Sequence, residues 1–554
     1  VLGSIAELKE KANEDVPDDV ELHRPGIDQY TLKCPSCGGT MHRIPEVADT
    51  WFDSGSMPVA QWHYPFEFKD KFAEWYPCDF IAEAQDQTRG WFYTLHAVAG
   101  LLHAAALKFP DDEDLAPFRE WGLSYKRCIC LGLVLDDEGL KMSKSRGGYV
   151  EPATVLSTEG ADAFRWVFLA NVDPWVPVRF TIDSIRDAQR RFLLTLRNVY
   201  QFFSIYARID GYEPSEIKIE KEQLSRLDLW IMARLHRTIG DVTDALEHYD
   251  VLKGAKALEQ FVDELSNWYV RRSRERFWRS EKDTDKWAAY QTLYTALVEV
   301  AKLMAPYTPF ISEEIWQNLA IDHIDGAAES IHLEEYPVMD KSWLDPELEA
   351  EVDLAMEIAK LGRSARKAEK IRVRQPLSEV IVVTRNPEDR ERARRQEEVI
   401  LNELNIKKMD FADDQSEFVS FRITPDFSKL GPRFGPKMPK VKAAFESGTD
   451  EMYRAMKESL DSGGTCSLEV DGETVTFTND EVTIGMESRK GYAAASGSRI
   501  AVVLHTELTP ELESEGIARE IVHHLQGLRK TADLDYQSRI RAYVKCDDNA
   551  IRKA

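Results

Sequence analysis

No run of apolar residues in this 554-residue sequence approaches the roughly 20 that a bilayer-spanning helix requires, so such a helix is not expected. Cysteine is scarce. There are seven, an odd number with a single close Cys-x-x-Cys pair, which argues against a disulfide framework and for a reducing, cytoplasmic compartment. Positive charge is in deficit: 71 Lys and Arg stand against 96 Asp and Glu, for a net charge of −25. Any polyanion bound by such a chain must meet a locally basic face on an acidic body, and high ionic strength would screen the remaining repulsion. A salt-adapted source is the expectation. No internal repeat or low-complexity tract is visible. The sequence starts at Val1 without a charged-then-apolar leader, and it reads as a piece of a longer chain.

What is present describes a globular protein of several domains, with 43% hydrophobic and 30% charged residues. Lys141-Met142-Ser143-Lys144-Ser145 puts two ammonium groups and two hydroxyls on a short stretch flanked by Gly139, Gly147 and Gly148. Those groups suit a polyphosphate, although such loops are more often plain solvated turns. The run Lys126 to Leu135 before it alternates Ile129, Leu131, Leu133 and Leu135 like a strand, and Asp136 to Gly139 forms a turn. Trp51-Phe52-Asp53-Ser54-Gly55-Ser56 reads as a strand entering a sheet and ending in a turn. Phe80 to Ala82 is a further short strand, and Trp91, Phe92, Leu95, Val98, Leu101 and Leu102 have helical spacing. Glu83 to Gln87 therefore fall between a strand end and a helix start, the edge where parallel α/β sheets bind ligands. The bland alternative is a cluster that caps the helix. Cys34-Pro35-Ser36-Cys37-Gly38-Gly39 forms half of a tetrahedral zinc knuckle.

The five residues Lys141 to Ser145 match the signature loop of the class I aminoacyl-tRNA synthetases. Together with Trp51 to Ser56 and Ala82-Glu83-Ala84-Gln85-Asp86-Gln87-Thr88-Arg89-Gly90-Trp91-Phe92, they resemble the isoleucine-specific branch of that family. The resemblance implies ATP with Mg2+, L-isoleucine and tRNA(Ile) as ligands, and a monomer. It makes Lys141, Ser143 and Lys144 catalytic and assigns ATP binding to them and Ser145. Glu83, Asp86 and Gln87 would touch the isoleucyl adenylate while Trp91 walls the side-chain pocket. Ala84 departs from the glycine of the family. Zn2+ at Cys34 and Cys37 is implied for the intact protein, with a second cysteine pair upstream. The family's His-x-Gly-His word and threonine-rich editing insert are absent. A valine-charging relative and a catalytically inactive tRNA binder are the alternatives.

Helical stripes dominate the middle of the chain: Ile231 to Tyr249, Val251 to Trp268 and Tyr290 to Met304 read as bundle core. Asn267 to Arg279 adds five arginines among aromatics. Trp268, Arg271, Arg272, Arg274 and Arg276 are the candidate tRNA contacts, with salt-bridged solvent exposure as the dull alternative. This segment and Met304 to Glu314 resemble the family's anticodon-binding bundle. Beyond it, Leu361 to Arg374 is a basic helical stretch and a candidate second tRNA contact. Lys429 to Lys437 is basic and rich in turn formers, Ser467 to Thr478 reads as a hairpin, and Leu512 to Leu528 as a last helix. The tail resembles that of archaeal- and eukaryotic-type enzymes. The expected architecture is a connective remnant over 1–50, then the second half of an α/β Rossmann-type catalytic domain over 51–185. Connecting helices over 186–226, an all-α anticodon-binding bundle over 227–345 and a mixed α+β region over 346–554 follow.

Overall fold

Cys78–Ala84 pairs in parallel with Tyr125–Leu131, and the helix Trp91–Lys108 makes the crossover between them. This strand–helix–strand unit belongs to a computed structural model that describes residues 2–46, 49–142, 151–534, 538–543 and 545. The chain divides into two compact units, one of 1–218, 238–280 and 293–337, the other of 219–237, 281–292 and 338–554. Among the described residues no helix is long and apolar enough to cross a membrane.

In the first unit, Ile81 from the sheet packs on Phe92 and Leu95 from the crossover helix. The opposite end of that helix closes over Tyr64, Phe72, Tyr76 and Phe118. The alternating run Lys126 to Leu135 is not one strand. Gly132 interrupts it, because a Cβ there would lie 2.4 Å from the Val176 carbonyl carbon, and the Gly132 N–H donates to Pro174 O at 2.8 Å. Beyond the break, Val134–Leu135 pairs in parallel with a new partner, Val178–Arg179.

Trp51 to Ser56 is helical, not a strand, lying within Thr50–Ala60. Asp49 caps this helix, accepting the Trp51 N–H at 2.9 Å, and Gly55 is the residue where the helix meets Thr94 of the crossover helix. Two longer helical runs follow. Ile182–Ala188 continues through a π-helical turn at Gln189–Leu193 into Leu194–Asp210, and Val251–Glu264 passes through another at Leu265–Val270 into Arg271–Trp278. The expected stripes are core: Ile231, Leu235, Val242, Leu258, Phe261, Leu293, Leu297 and Met304 are all buried.

In the second unit, a four-stranded sheet is ordered Tyr492–Ser496, Ala501–His505, Leu377–Val383, Ile406–Ala412, with only the last pair parallel. The helix Pro346–Ala368 buries Leu354, Ala355, Ile358 and Ala359. The hairpin over Ser467 to Thr478 is present, with Cys466–Val470 against Glu473–Phe477. Asp471 and Gly472 turn it at φ 59° and 84°, the left-handed pair that a tight hairpin needs. Lys429 to Lys437, basic and rich in turn formers, lies for the most part in the helix Phe427–Phe434, which ends at Gly435. The last helix runs Pro510–Thr531.

Candidate active site

Pro58 organises the first contact of the site. A proline within a helix has no N–H for the carbonyl four residues before it, so the Ser54 carbonyl is released from the helix ladder. The indole Nε1–H of Trp91 donates to that carbonyl at 3.0 Å. Gly90 lets the two segments close further. A Cβ there would fall 2.8 Å from the Trp51 ring and 2.8 Å from Gln87 Oε1. The two stretches Trp51 to Ser56 and Glu83 to Trp91 thus join in one wall, built by Trp51, Ser54, Gly90 and Trp91.

Glu83 lies near the end of its strand, and Asp86 and Gln87 lie in the 3₁₀ turn Gln85–Arg89 before the helix. Gln87 follows the capping alternative, since its Oε1 accepts the Trp91 backbone N–H at 3.0 Å. Glu83 and Asp86 do not. Both are exposed, and among the described residues neither side chain has a hydrogen bond or ion pair. Two carboxylates left open at a strand-to-helix edge suit a ligand ammonium or hydroxyl.

Ala84 stands opposite Leu131, so both parallel strands end on the same edge of the sheet. From that edge the chain runs to a tight turn in which Asp136 Oδ1 accepts the N–H groups of Glu138 at 3.1 Å and Leu140 at 2.8 Å. Lys141 returns antiparallel to Leu135. Ser143, Lys144 and Ser145 lie outside the described residues.

Cys34 and Cys37 sit in the turn between Leu32–Lys33 and Thr40–Met41. The Cys34 N–H donates to Gly39 O at 2.8 Å and the Gly38 N–H to Cys34 O at 2.9 Å. Backbone amides of Cys37 and Ser36 aimed at its sulfur hold the Cys34 thiol below its ordinary range, the state that binds metal. The pair fits half of a tetrahedral zinc set. Among the described residues, no group of three or more candidate ligands stands together.

The arginine segment is less open than its sequence implies. Trp268 is buried, with the Arg271 and Arg272 guanidinium carbons 5.8 and 5.4 Å from its ring centroid. Arg271 Nε–H also donates to Asn267 O at 2.8 Å. Arg276 is partly buried, whereas Arg274 is exposed. The exposed aromatic of the stretch is Trp278, at 56%. Sequence reading passed over Asp162 and Arg165, which clasp the segment that begins the helix Pro309–Leu319. The Asp162 carboxylate accepts the N–H groups of Ile311 at 2.7 Å and Phe310 at 3.3 Å, and Arg165 donates to Tyr307 O and Pro306 O at 2.9 and 2.7 Å. A cleft of about 340 Å³ lies beside this clasp, and its lining includes none of Glu83, Asp86 or Lys141.

Residues 1–179 match the family model of tRNA synthetases class I (I, L, M and V), and residues 228–382 match that of the anticodon-binding domain of tRNA ligase. Similar curated proteins are the isoleucine--tRNA ligases of Clostridium novyi, 45% identical over 98% of this chain, and Clostridium acetobutylicum, 42% identical over 100%. That of Bacillus thuringiensis is 39% identical over 98%. The chain spans about half the length of these relatives, at 50%, 51% and 50% respectively. Among solved structures, the LeuRS–tRNA–LeuAMS ternary complex from Agrobacterium radiobacter K84 overlays with a TM-score of 0.44 at 21% identity. It covers 57% of this chain and 36% of that one, too distant a likeness to carry an argument. The chain carries a class I tRNA synthetase catalytic segment followed by a tRNA-ligase anticodon-binding domain.

Proposed function

We propose that this chain is the signature-loop and tRNA-binding part of an isoleucine--tRNA ligase, which activates L-isoleucine with ATP and Mg2+ and then esterifies tRNA(Ile). The observation that carries the reading is the Trp91 indole on the Ser54 carbonyl. It joins the two stretches whose wording separates the isoleucine branch from the valine branch.

In this reading Glu83 and Asp86 receive the ammonium and hydroxyl groups of the isoleucyl adenylate. Gln87, whose Oε1 is engaged by the helix, offers its amide N–H, and Trp91 bounds the side chain. Lys144, assisted by Lys141, Ser143 and Ser145, follows the charge of the polyphosphate as pyrophosphate leaves. A clamp that tightens on developing charge speeds the chemical step more than it strengthens binding. Arg274 and Trp278 face solvent for tRNA, while Trp268 holds its arginines in place from beneath. Cys34 and Cys37 would supply two thiolates to Zn2+ in the intact enzyme.

The second half of a Rossmann-type catalytic domain accounts for the parallel pair and its crossover helix. The archaeal and eukaryotic type rests on the resemblance of the carboxy-terminal region, and the relatives named above are bacterial. With no His-x-Gly-His word in it, the chain alone should activate isoleucine poorly. Aminoacylation of purified tRNA by a form extended upstream, with isoleucine, valine and leucine compared, tests the proposal. Charging with isoleucine in preference to both others is expected. Preferential charging with valine would move the assignment to that branch, and tRNA binding without any charging would favour the inactive binder.

A further inference from the structure

The hairpin that leads to the signature residues is flanked by a cation that no motif announces. Leu135 lies between two partners: Arg179, in the parallel pair Val134–Leu135 with Val178–Arg179, and Lys141, in the antiparallel return of the hairpin. Residues in register on adjacent strands project to the same side of a sheet, so Arg179 and Lys141 flank Leu135 on one face. With one strand spacing on either side, their backbones stand about 10 Å apart. Lys141 is part of the signature wording, whereas Arg179 comes 38 residues later in the chain.

The backbone of Arg179 is fixed on both sides. The Val178 N–H donates to Leu133 O at 3.0 Å and the Phe180 N–H to Leu135 O at 2.9 Å. Phe180 is buried and stacks on Phe168, with ring centroids 5.5 Å apart. The Arg179 side chain itself is exposed and crosses the hairpin at Gly139, where a Cβ would lie 3.0 Å from its Nη2 and 3.4 Å from its Nε. Gly139, at φ 81°, supplies both the left-handed turn and the room for the guanidinium. Asp136, Asp137 and Glu138 stand in the same turn. An arginine that served only to hold this turn would pair with one of these carboxylates. Among the described residues the Arg179 guanidinium has no hydrogen bond or ion pair, and Asp137 and Glu138 make no ion pair.

We propose that Arg179 is a further polyphosphate-binding residue, whose guanidinium fork grips the two phosphates of ATP that leave as pyrophosphate. The inference rests on the ATP-dependent reading above and adds a residue to it. In that step the isoleucine carboxylate attacks the α-phosphorus, the bond to the bridging oxygen breaks, and pyrophosphate departs with the electron pair. A guanidinium keeps its charge at any working pH and offers parallel N–H donors to two phosphate oxygens. Lys141, on the same face, adds a second charge. Because paired strands fix its base, Arg179 meets the same oxygens in ATP and in the departing pyrophosphate. A contact made equally before and during the chemical step lowers KM without raising kcat. Its signature therefore differs from that of Lys144, which acts on the chemical step.

The test is amino-acid-dependent ATP–pyrophosphate exchange by the upstream-extended protein, comparing wild type with Arg179→Ala and Arg179→Lys. Arg179→Ala should raise KM for ATP and for pyrophosphate about tenfold, as for loss of a charge-assisted hydrogen bond, while kcat and KM for isoleucine stay within about twofold of wild type. Arg179→Lys keeps the charge without the fork and should fall between the two. The thermal midpoints of all three should coincide, since the guanidinium has no partner to lose among the described residues. ATP and pyrophosphate constants equal to wild type in Arg179→Ala overturn this inference and leave the ATP-dependent reading intact. A lowered midpoint with reduced kcat and every KM unchanged also overturns it, because that pattern belongs to a residue that only supports the hairpin. A wild-type protein that exchanges pyrophosphate with no amino acid overturns both.

Discussion

At the scale of the residue, Gly55 and Pro58 do the most to assemble the candidate site, and neither carries chemistry. Gly55 permits contact with the crossover helix, since a Cβ there would lie 2.8 Å from the Thr94 carbonyl carbon and oxygen. Backbone at that distance cannot yield as a flexible side chain would. Gly55→Ala should therefore cost about 2 kcal/mol of stability, within the range for overpacked cores, read as a lowered urea midpoint at constant slope. An unchanged midpoint would show that the two helices are not held in register there. Pro58 acts through an absence, freeing the Ser54 carbonyl for Trp91. The sequence displayed both residues. Their meaning depended on a helix that the Asp-Ser-Gly wording disguised as a turn.

At the scale of the element, the helix Ala161–Ala170 joins the synthetase segment to the helix Pro309–Leu319 through Asp162 and Arg165. Asp162 works as a cap supplied from another helix. Asp162→Ala should cost about 1 kcal/mol, whereas Asp162→Asn keeps an acceptor and should cost less. Burial raises the Asp162 carboxyl above its ordinary range, against the opposing pull of the Ile311 and Phe310 amides and of Arg165. An acid raised in this way holds its proton more firmly folded than unfolded. Its contribution is full at low pH and declines as pH rises from the ordinary carboxylate value through the raised one. Chemical denaturation over that window should show Asp162→Asn gaining on wild type as pH increases, and a constant difference would contradict the sign. The helical stripes and the strand–helix–strand order were legible in the sequence, because their periods are set by burial. The break at Gly132 and the helix Thr50–Ala60 were not. The first depends on the Val176 backbone, 44 residues further along the chain, and the second on a cap and a packing partner outside the stretch itself. The hairpin at Asp471-Gly472 was legible because its left-handed pair is spelled locally.

At the scale of the whole molecule, the charge of −25 is the property most at odds with a polyanionic ligand. Moving from about 0.1 M to about 1 M KCl shortens the Debye length from about 10 Å to about 3 Å and removes much of the self-repulsion. The thermal midpoint should rise over that range, and a fall would argue against a salt-adapted acidic surface. The central claim is that the strand-to-helix edge at Glu83 and Asp86 receives the amino-acid side of the adenylate. Isoleucine-dependent ATP–pyrophosphate exchange by the upstream-extended protein, comparing wild type with Glu83→Gln and Asp86→Asn, tests it most directly. Both side chains are exposed and unpaired among the described residues, so neither change should move the unfolding midpoint. The expected result is a KM for isoleucine raised about tenfold or more, as for loss of a charge-assisted hydrogen bond. Exchange kinetics equal to wild type in both variants would contradict it.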